Sequence, residues 1–559
     1  MKTKKILNRR NFIKMTVGGS AALLTQGCQN PVIDQRISNL KTNPTPPKVR
    51  TRYDVAATDE AAKRNVEYFK KAVARMKEIS KKDPENKMGW FAQAHIHYEH
   101  CGNGINNVHK SAVFLPWHRA YLVYFEEICR QILSDLKVPH CDDFALPYWD
   151  WFSRPYIPEI FWDEANNKWD DDLNNIEPPQ NWELKDEARI KWKRREDWKT
   201  KCEDVGQKEA NDIMKSDFHS LIGIYPSGVY HRGELESRVH NTIHDFVQGN
   251  MHNALTAALD PLFWLHHANV DRVWDQWMKT HEKETPPPKC PTANNDCCNN
   301  CAAISKEKDK QLCLEQAAQI CKWLGTEIAG FPSANGNTDS KRICELLNIS
   351  NLGYKYDDSK EIHFGDCINL KTINEDEYSI RTYFDNENIV NVDNSLTINI
   401  ADLLFQPKNR QNLKNMQASL SQILTAKIAS DSPSNLPSLL LTIEVEKPEN
   451  PAISVRIFIN PPTEPPINPS ELSTDSPSYA ATFSFFESIG VTHHHDDGGM
   501  NQDDENRRFI FDITSTILKL ESFDLASARV SICPKFLNDK SDISMGKIKL
   551  LNLRLLIAQ

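Results

Sequence analysis

A mainly α core followed by a C-terminal antiparallel β-sandwich is the fold class the sequence predicts, and two changes of texture carry that reading. Between about 52 and 280, apolar residues recur at three- and four-residue steps, as in DEAAKRNVEYFKKAVARMKEIS (59–80), RAYLVYFEEICRQIL (119–133) and NVDRVWDQWM (269–278). That is the period of a helix with one buried face. From about 435 the runs become short and β-branched or aromatic: LPSLLLTIEVEK, AISVRIFIN, YAATFSFFES, RRFIFDIT and ARVSICP, separated by Pro, Asn, Asp and Gly. Such spacing predicts short antiparallel strands. A third observation marks the helical part as a site: of 18 histidines, thirteen lie between 95 and 267.

A chain of 559 residues is too long for one ordinary core, and at roughly 150 residues per domain it divides into two to four. With 40% hydrophobic and 26% charged residues it reads as a globular protein, and a net charge of −9 argues against nucleic acid as a partner. The basic stretch RIKWKRREDWKTK (189–201) carries Glu196 and Asp197 among its cations and predicts a solvated helix face. At the N-terminus, Arg9-Arg10 precede Asn11-Phe12-Ile13-Lys14 and a short run of small apolar residues. This resembles a bacterial twin-arginine signal, which predicts an exported protein, periplasmic or secreted. The run is too short to span a bilayer, so no transmembrane segment is expected in the mature chain. LTQGC loosely resembles a lipobox and makes Cys28 a candidate lipid anchor.

The boundaries expected are a signal at 1–28, a linker at 29–50, a helical domain at 51–285, a Cys-rich insertion at 286–345, a connecting region at 346–430 and the β domain at 431–559. Seven of the 14 cysteines (Cys290, Cys297, Cys298, Cys301, Cys313, Cys321 and Cys344) fall in the insertion. Disulfides stapling the insertion are expected, with a metal cluster on Cys298-x-x-Cys301 as the alternative. The pairing is not legible from sequence.

The histidines form two sets. The first contains His95, His97 and His100 in WFAQAHIHYEHCG (90–102), then His109 and His118 around Phe-Leu-Pro-Trp, where Pro116 is expected to break the helix. The second contains His240 and His244, four apart and so on one helical face, with one of the adjacent His266 and His267. Three imidazoles per ion without carboxylate or thiolate suit copper or zinc. Asn241 stands where a zinc peptidase needs its general-base Glu, and the paired Glu-x-x-His helices of a di-iron bundle are missing. Two three-histidine sets on antiparallel helices suggest a coupled copper pair. Asp271 and Asn269, within a turn of His267, are candidates to orient it; an Asp271–Arg272 ion pair is the competing reading.

HKSAVFLPWHRAYLVYFE (109–126) and DPLFWLHHANVD (260–271) resemble the two copper signatures of the tyrosinase and catechol oxidase family of type-3 copper proteins, and ALPYWDW (145–151) is similar to that family too. The resemblance covers roughly 50–280. ICELLNISNLGYKYDD and YAATFSFF are more faintly similar to the later domains of plant polyphenol oxidases. It implies a four-helix bundle holding a binuclear copper site, with the β-sandwich as a lid. His97, His109 and His118 would hold one copper, and His240, His244 and His267 the other. His95 and His100 are then spare. Cys101 would be joined to His109 by a thioether. Glu236 and Asn241 would hold a water that takes the proton of a phenol, and Ala254 would leave the approach to one copper open. Phe114, Trp117, Phe263 and Trp264 are expected to line the site.

The activity implied is oxidation of o-diphenols to o-quinones by O2, with hydroxylation of monophenols, latent until the C-terminal domain is displaced. Phenolic small molecules and O2 are the partners expected. A reversible dioxygen carrier of the haemocyanin type and an o-aminophenol oxidase are the alternatives. THHHDDGG (492–499) reads as a polar loop, with copper loading as its functional alternative.

Overall fold

The structure, a computed structural model, describes residues 47–559 apart from 103–107, 185–191, 226–229, 283–284, 286–289, 292–300, 302–303, 334–337, 363–370, 385–387, 427–435, 449–452, 464–470, 487–505 and 537–545. The expected signal, Cys28 and the His493–His495 tract lie outside the described residues. No helix among the described residues is long and apolar enough to cross a membrane.

Helix α1 (Glu60–Lys82) starts where the Asp59 side chain accepts from the Ala62 amide and buries Phe69, Ala72, Val73 and Met76 at helical spacing. Helix α2 (Trp90–His97) runs into a π-helical turn at Tyr98–Gly102. Helix α3 (Phe114–Asp135) contains His118. Pro116 does not break it: it sits in the first turn, where its missing N–H has no intrahelical partner to lose. A second π-helical turn, Leu235–His240, continues into α4 (Asn241–Val247). Helix α5 (Pro261–Thr280) is capped by Asp260, whose carboxylate accepts from Leu262 and has Pro261 behind it. Helices α2, α3, α4 and α5 form the bundle that carries the clustered histidines.

Residues 192–201 are irregular rather than helical. Arg194 in that stretch is buried, and its Nε donates to Asp260 at 2.7 Å. An internal carboxylate and not solvent therefore sets the conformation there.

Strand β1 (Arg50–Arg52), at the end of the expected linker, pairs in parallel with β2 (Tyr354–Tyr356). This pairing closes the core around a buried ionic knot. The Asp271 carboxylate accepts from Arg119 at 2.5 Å, Arg52 at 3.3 Å, Tyr354 Oη at 2.7 Å and Tyr356 Oη at 2.5 Å. Asp271 therefore orients neither His267 nor Arg272, because two guanidiniums from distant elements already use its oxygens. Arg272 pairs with Asp358 and donates to Asn269 Oδ1 at 3.0 Å, which removes Asn269 from His267 as well.

The Cys-rich insertion is stapled by Cys290–Cys344 and Cys301–Cys313, so Cys301 is not free for a metal cluster. Its helix α6 (Glu307–Gly325) brings Trp323, whose indole donates to Ala112 O at 2.8 Å, and Phe331 from the following hairpin packs on Trp117 and Tyr121. The insertion thereby backs the segment between His109 and His118.

The C-terminal body has two antiparallel sheets. One is built from β3 (Ser379–Tyr383), β4 (Ile389–Asn391), β6 (Ser438–Glu446), β9 (Asn506–Asp512) and β11 (Lys547–Ala558). Its order is β9-β6-β11-β3, with β4 also on β11. The other, of order β8-β7-β10-β5, is built from β5 (Leu396–Asn399), β7 (Ile453–Ile459), β8 (Tyr479–Ser484) and β10 (Arg529–Phe536). One buried apolar cluster takes residues from both sheets, which makes them a sandwich. β3, β4 and β5 come from the stretch expected to be a connection, so the sandwich recruits that stretch to complete both sheets.

Burial alone pushes the Asp271 carboxyl up, but Arg119, Arg52 and the two tyrosine hydroxyls outweigh it and hold the carboxyl below its usual value. Because the folded value is the lower one, the stabilisation is full above about pH 4 and is lost as pH falls below it. Asp271→Asn is expected to destabilise the core by about 3–5 kcal/mol, since it leaves buried guanidiniums uncompensated. A lowered unfolding temperature at pH 7, with little further loss on acidification, would show it.

Candidate metal centre

Each imidazole of the first set is aimed from one side. His97, at the end of α2, points Nδ1 at Ala254 O at 2.8 Å, and His118 points Nδ1 at Phe114 O at 2.9 Å. Carbonyls only accept, so Nδ1 carries the hydrogen and Nε2 is left as the basic nitrogen. His109, in the turn Val108–Lys110, brings its Nε2 to 3.5 Å from His97 Nε2. The π-helical turn after α2 moves Cys101 inward, and the ligand atoms of His97, Cys101, His109 and His118 all lie within 4.8 Å of one another.

The second set follows the same logic. His244 Nδ1 faces Met251 O at 2.7 Å, and His240 Nδ1 faces Asn241 Oδ1 at 2.9 Å. The ligand atoms of His240, His244, His266 and His267 lie within 4.8 Å of one another. Both members of the adjacent pair are thus within reach, where spacing had predicted one. They differ in their neighbours. The His267 ring stacks on His118 of the first set at 4.1 Å and meets Phe263 at a tilt at 4.2 Å. His266 contacts His240, His244 and Trp151 instead. His95 pairs with Glu99 and His100 with Ile96 O, away from both groups.

Buried polar atoms in proteins are nearly always satisfied, and here a group of them is not. Nε2 of His118, His240 and His244 and both ring nitrogens of His266 and His267 have no hydrogen-bond partner among the described residues. Burial pushes His97, His118, His240, His244 and His267 well below the usual histidine value, and His266 to about 3. They are therefore neutral at pH 7, the state in which an imidazole binds a metal. Two groups of convergent imidazoles fit two metal ions, and among the described residues neither group includes a carboxylate, which suits copper.

The walls are aromatic. Phe114 lies 4.7 Å from His240 and 4.8 Å from His118, and Phe263 lies 4.9 Å from His97. Trp117 is 4.8 Å from His118. Trp264 is not a wall: it stacks on Phe125 in the core behind. Phe486, immediately beyond strand β8, completes the enclosure. Its ring stacks on His244 at 3.9 Å and meets His109 at 5.2 Å and His240 at 5.4 Å.

The family description "Common central domain of tyrosinase" matches residues 87–280, a span containing every histidine of both groups. Residues 87–280 thus carry a tyrosinase central domain. It is 30% identical over 269 residues to Tyrosinase HcTyr1 of Hahella sp. (strain CCB-MM4), covering 39% of this chain and 52% of that protein. It is 27% identical over 348 residues to the chloroplastic polyphenol oxidase A of Solanum lycopersicum, covering 56% of this chain and 47% of that protein. The chain thus spans about half the length of the curated relatives it matches. The fold is shared more widely. Latent apple tyrosinase superposes with a TM-score of 0.54 at 19% identity, over 92% of this chain and 98% of that one. Recombinant latent aurone synthase gives 0.55 at 18%, over 92% and 90%.

In this site Glu236 precedes His240 by one helical turn and Asn241 follows it directly. Glu236 Oε1 lies 3.3 Å from His109 Nδ1, and its Oε2 accepts from Tyr230 Oη at 2.5 Å. Asn241 Nδ2 donates to Ser484 O, on β8, at 2.9 Å. Ala254 contributes its carbonyl to His97. Cys101 is a buried free thiol, pushed up by burial and then by Glu236. Tyr230, Ser484 and Phe486 are the site residues that sequence reasoning missed. The doubled Phe485-Phe486, which ends the alternation of strand β8, is the one local signal that pointed to Phe486.

A transition-metal ion added to metal-free protein is expected to raise the unfolding temperature and to saturate at two ions per chain, one for each group. Saturation at one ion would contradict two separate sites.

Proposed function

We propose that the protein is a binuclear copper phenol oxidase that oxidises o-diphenols to o-quinones with O2 and hydroxylates monophenols, held latent by its own C-terminal sandwich. The observation that carries this reading is the facing of the two histidine groups. Rings of the first lie 4.1 to 6.5 Å from rings of the second (His118–His267 and His97–His267), close enough for two ions to act on one small molecule. His97, His109 and His118 hold one copper. His240, His244 and His267 hold the other, His267 being chosen over His266 because its ring alone of the pair meets the first group.

A copper pair held there supplies electron transfer from phenol to dioxygen. Balance requires two catechols oxidised to two quinones for each O2 reduced to two waters. The chain's own residues bind, orient and exclude. Phe114, Trp117 and Phe263 keep bulk water from the imidazoles. Glu236, oriented by Tyr230, and Asn241 hold the water that takes the phenolic proton. A thioether from Cys101 to His109 would fix the one ligand of the first group that stands on a three-residue turn rather than a long helix. Phe486 occupies the approach, which supports latency. Export through the twin-arginine route, with a lipid on Cys28 as its variant, is part of the same proposal and rests on the N-terminal residues alone.

Oxygen uptake by copper-loaded protein, given a monophenol or a catechol before and after limited proteolysis, tests the proposal. Uptake should be small with the intact chain and rise at least about tenfold when the sandwich is removed. No sustained uptake after complete removal would favour the reversible carrier, and uptake with o-aminophenols alone would move the substrate class.

A further inference from the structure

Among the described residues the sandwich touches the site through Phe486 and Ser484, and the two contacts are chemically different. Phe486 fills space with a ring. Two residues earlier, the main-chain carbonyl of Ser484 takes a hydrogen bond from Asn241. The Asn241 side chain is 1% exposed, so its amide has no bulk water to turn to. Its oxygen accepts from His240 Nδ1 at 2.9 Å, which keeps His240 Nε2 free as a ligand. Its nitrogen is committed to Ser484 O at 2.9 Å. These two bonds, one at each end, fix the plane of the amide while the sandwich is docked, so its second N–H cannot be re-aimed.

We propose that the Ser484 carbonyl is a specificity clamp: by holding Asn241 it withholds monophenol hydroxylation as a separate step from the occlusion by Phe486. The inference rests on the phenol-oxidase reading and on Asn241 helping to hold the proton-accepting water. A carbonyl belongs to the backbone, so it stays in place when the Phe486 side chain is removed. Strand β8 is kept there by its antiparallel ladder with β7, which runs from Ser454↔Ser484 to Phe458↔Tyr479. The core and the sandwich are tied nearby as well, through Arg232 N to Arg508 O at 2.8 Å, Asp512 N to Glu234 at 2.5 Å and Arg456 Nη2 to Asp204 at 2.6 Å. Losing one ring leaves these ties untouched. Opening the pocket and freeing Asn241 are then two events: the first admits a phenol, and only the second lets Asn241 Nδ2 turn to a water beside Glu236.

Two measurements test the clamp. In the full copper-loaded chain, Phe486→Gly should oxidise catechol while its monophenol-to-diphenol rate ratio stays at least about tenfold below that of protein freed of the sandwich by proteolysis, the size expected for one buried hydrogen bond. Equal ratios would overturn the clamp. So would a sandwich-free protein that oxidises catechol but hydroxylates no monophenol, because Asn241 would then have nothing to release. In the metal-free chain, Asn241→Asp keeps an acceptor for His240 but offers Ser484 O no donor. Proteolytic release of the sandwich should then be faster by roughly tenfold, and unchanged release would overturn the contact as a tie. A sandwich-free protein that oxidises neither substrate would overturn the functional reading and the hydroxylation control with it, while the metal-free arm still reports on the contact itself.

Discussion

Imidazoles gathered in a dry interior with their Nε2 atoms facing one another are the constraint on which the rest of this structure depends. A buried, unsatisfied polar nitrogen costs about 1–3 kcal/mol, and neutral rings converging in this way gain nothing from one another until an ion sits between them. The fold has to hold that arrangement in place by other means. It does so with carbonyls. Ala254, Phe114 and Met251 each take the Nδ1 hydrogen of one histidine, which fixes ring rotation and leaves the opposite nitrogen aimed inward. Two π-helical turns, before α4 and after α2, adjust the phase so that His240 and Cys101 face the centre.

A second buried arrangement lies behind the first. Asp271 on α5, Arg119 on α3, Arg52 on β1 and the tyrosines of β2 tie the ends of the helical unit to the two helices that carry His118 and His267. Arg119 follows His118 directly in sequence, so the ionic knot and the histidine cluster share a helix turn. The knot therefore joins α3 to α5, the helices of His118 and His267, through Arg119 and Asp271. On the other side the C-terminal sandwich meets the same cluster through Phe486 and Ser484. The histidines thus sit between a buried ionic support and the sandwich that covers them.

Much of the site was legible because its signals are local. His240 and His244 are one helical turn apart, and the Pro-containing entry to α3 frames His118, so spacing and residue type placed them. What was not legible depends on long-range competition. Helical spacing put Asp271 on the face of His267, yet the carboxylate is taken by Arg52 and Tyr354, 219 and 83 residues away in sequence. Pro116 reads as a helix breaker in isolation, but in the first turn of α3 it is a start. Arg194 reads as part of a solvated basic face and instead meets Asp260 in the interior. The sandwich was visible as a set of alternating strands. Its early strands were not, because β3, β4 and β5 are three to five residues long and lie in polar sequence. Phe486 is one aromatic among many until the fold sets it over His244.

The central claim is that two ions occupy the two histidine groups beneath an aromatic cover. Anomalous diffraction at the copper edge from crystals of the full, copper-loaded chain tests it most directly. The account predicts two peaks, one within bonding distance of His97, His109 and His118 and the other of His240, His244 and His267, with Cys101 Sγ bonded to His109 and the Phe486 ring still against His244. A single peak, or a second ion bound through His266 with His267 turned away, would contradict it.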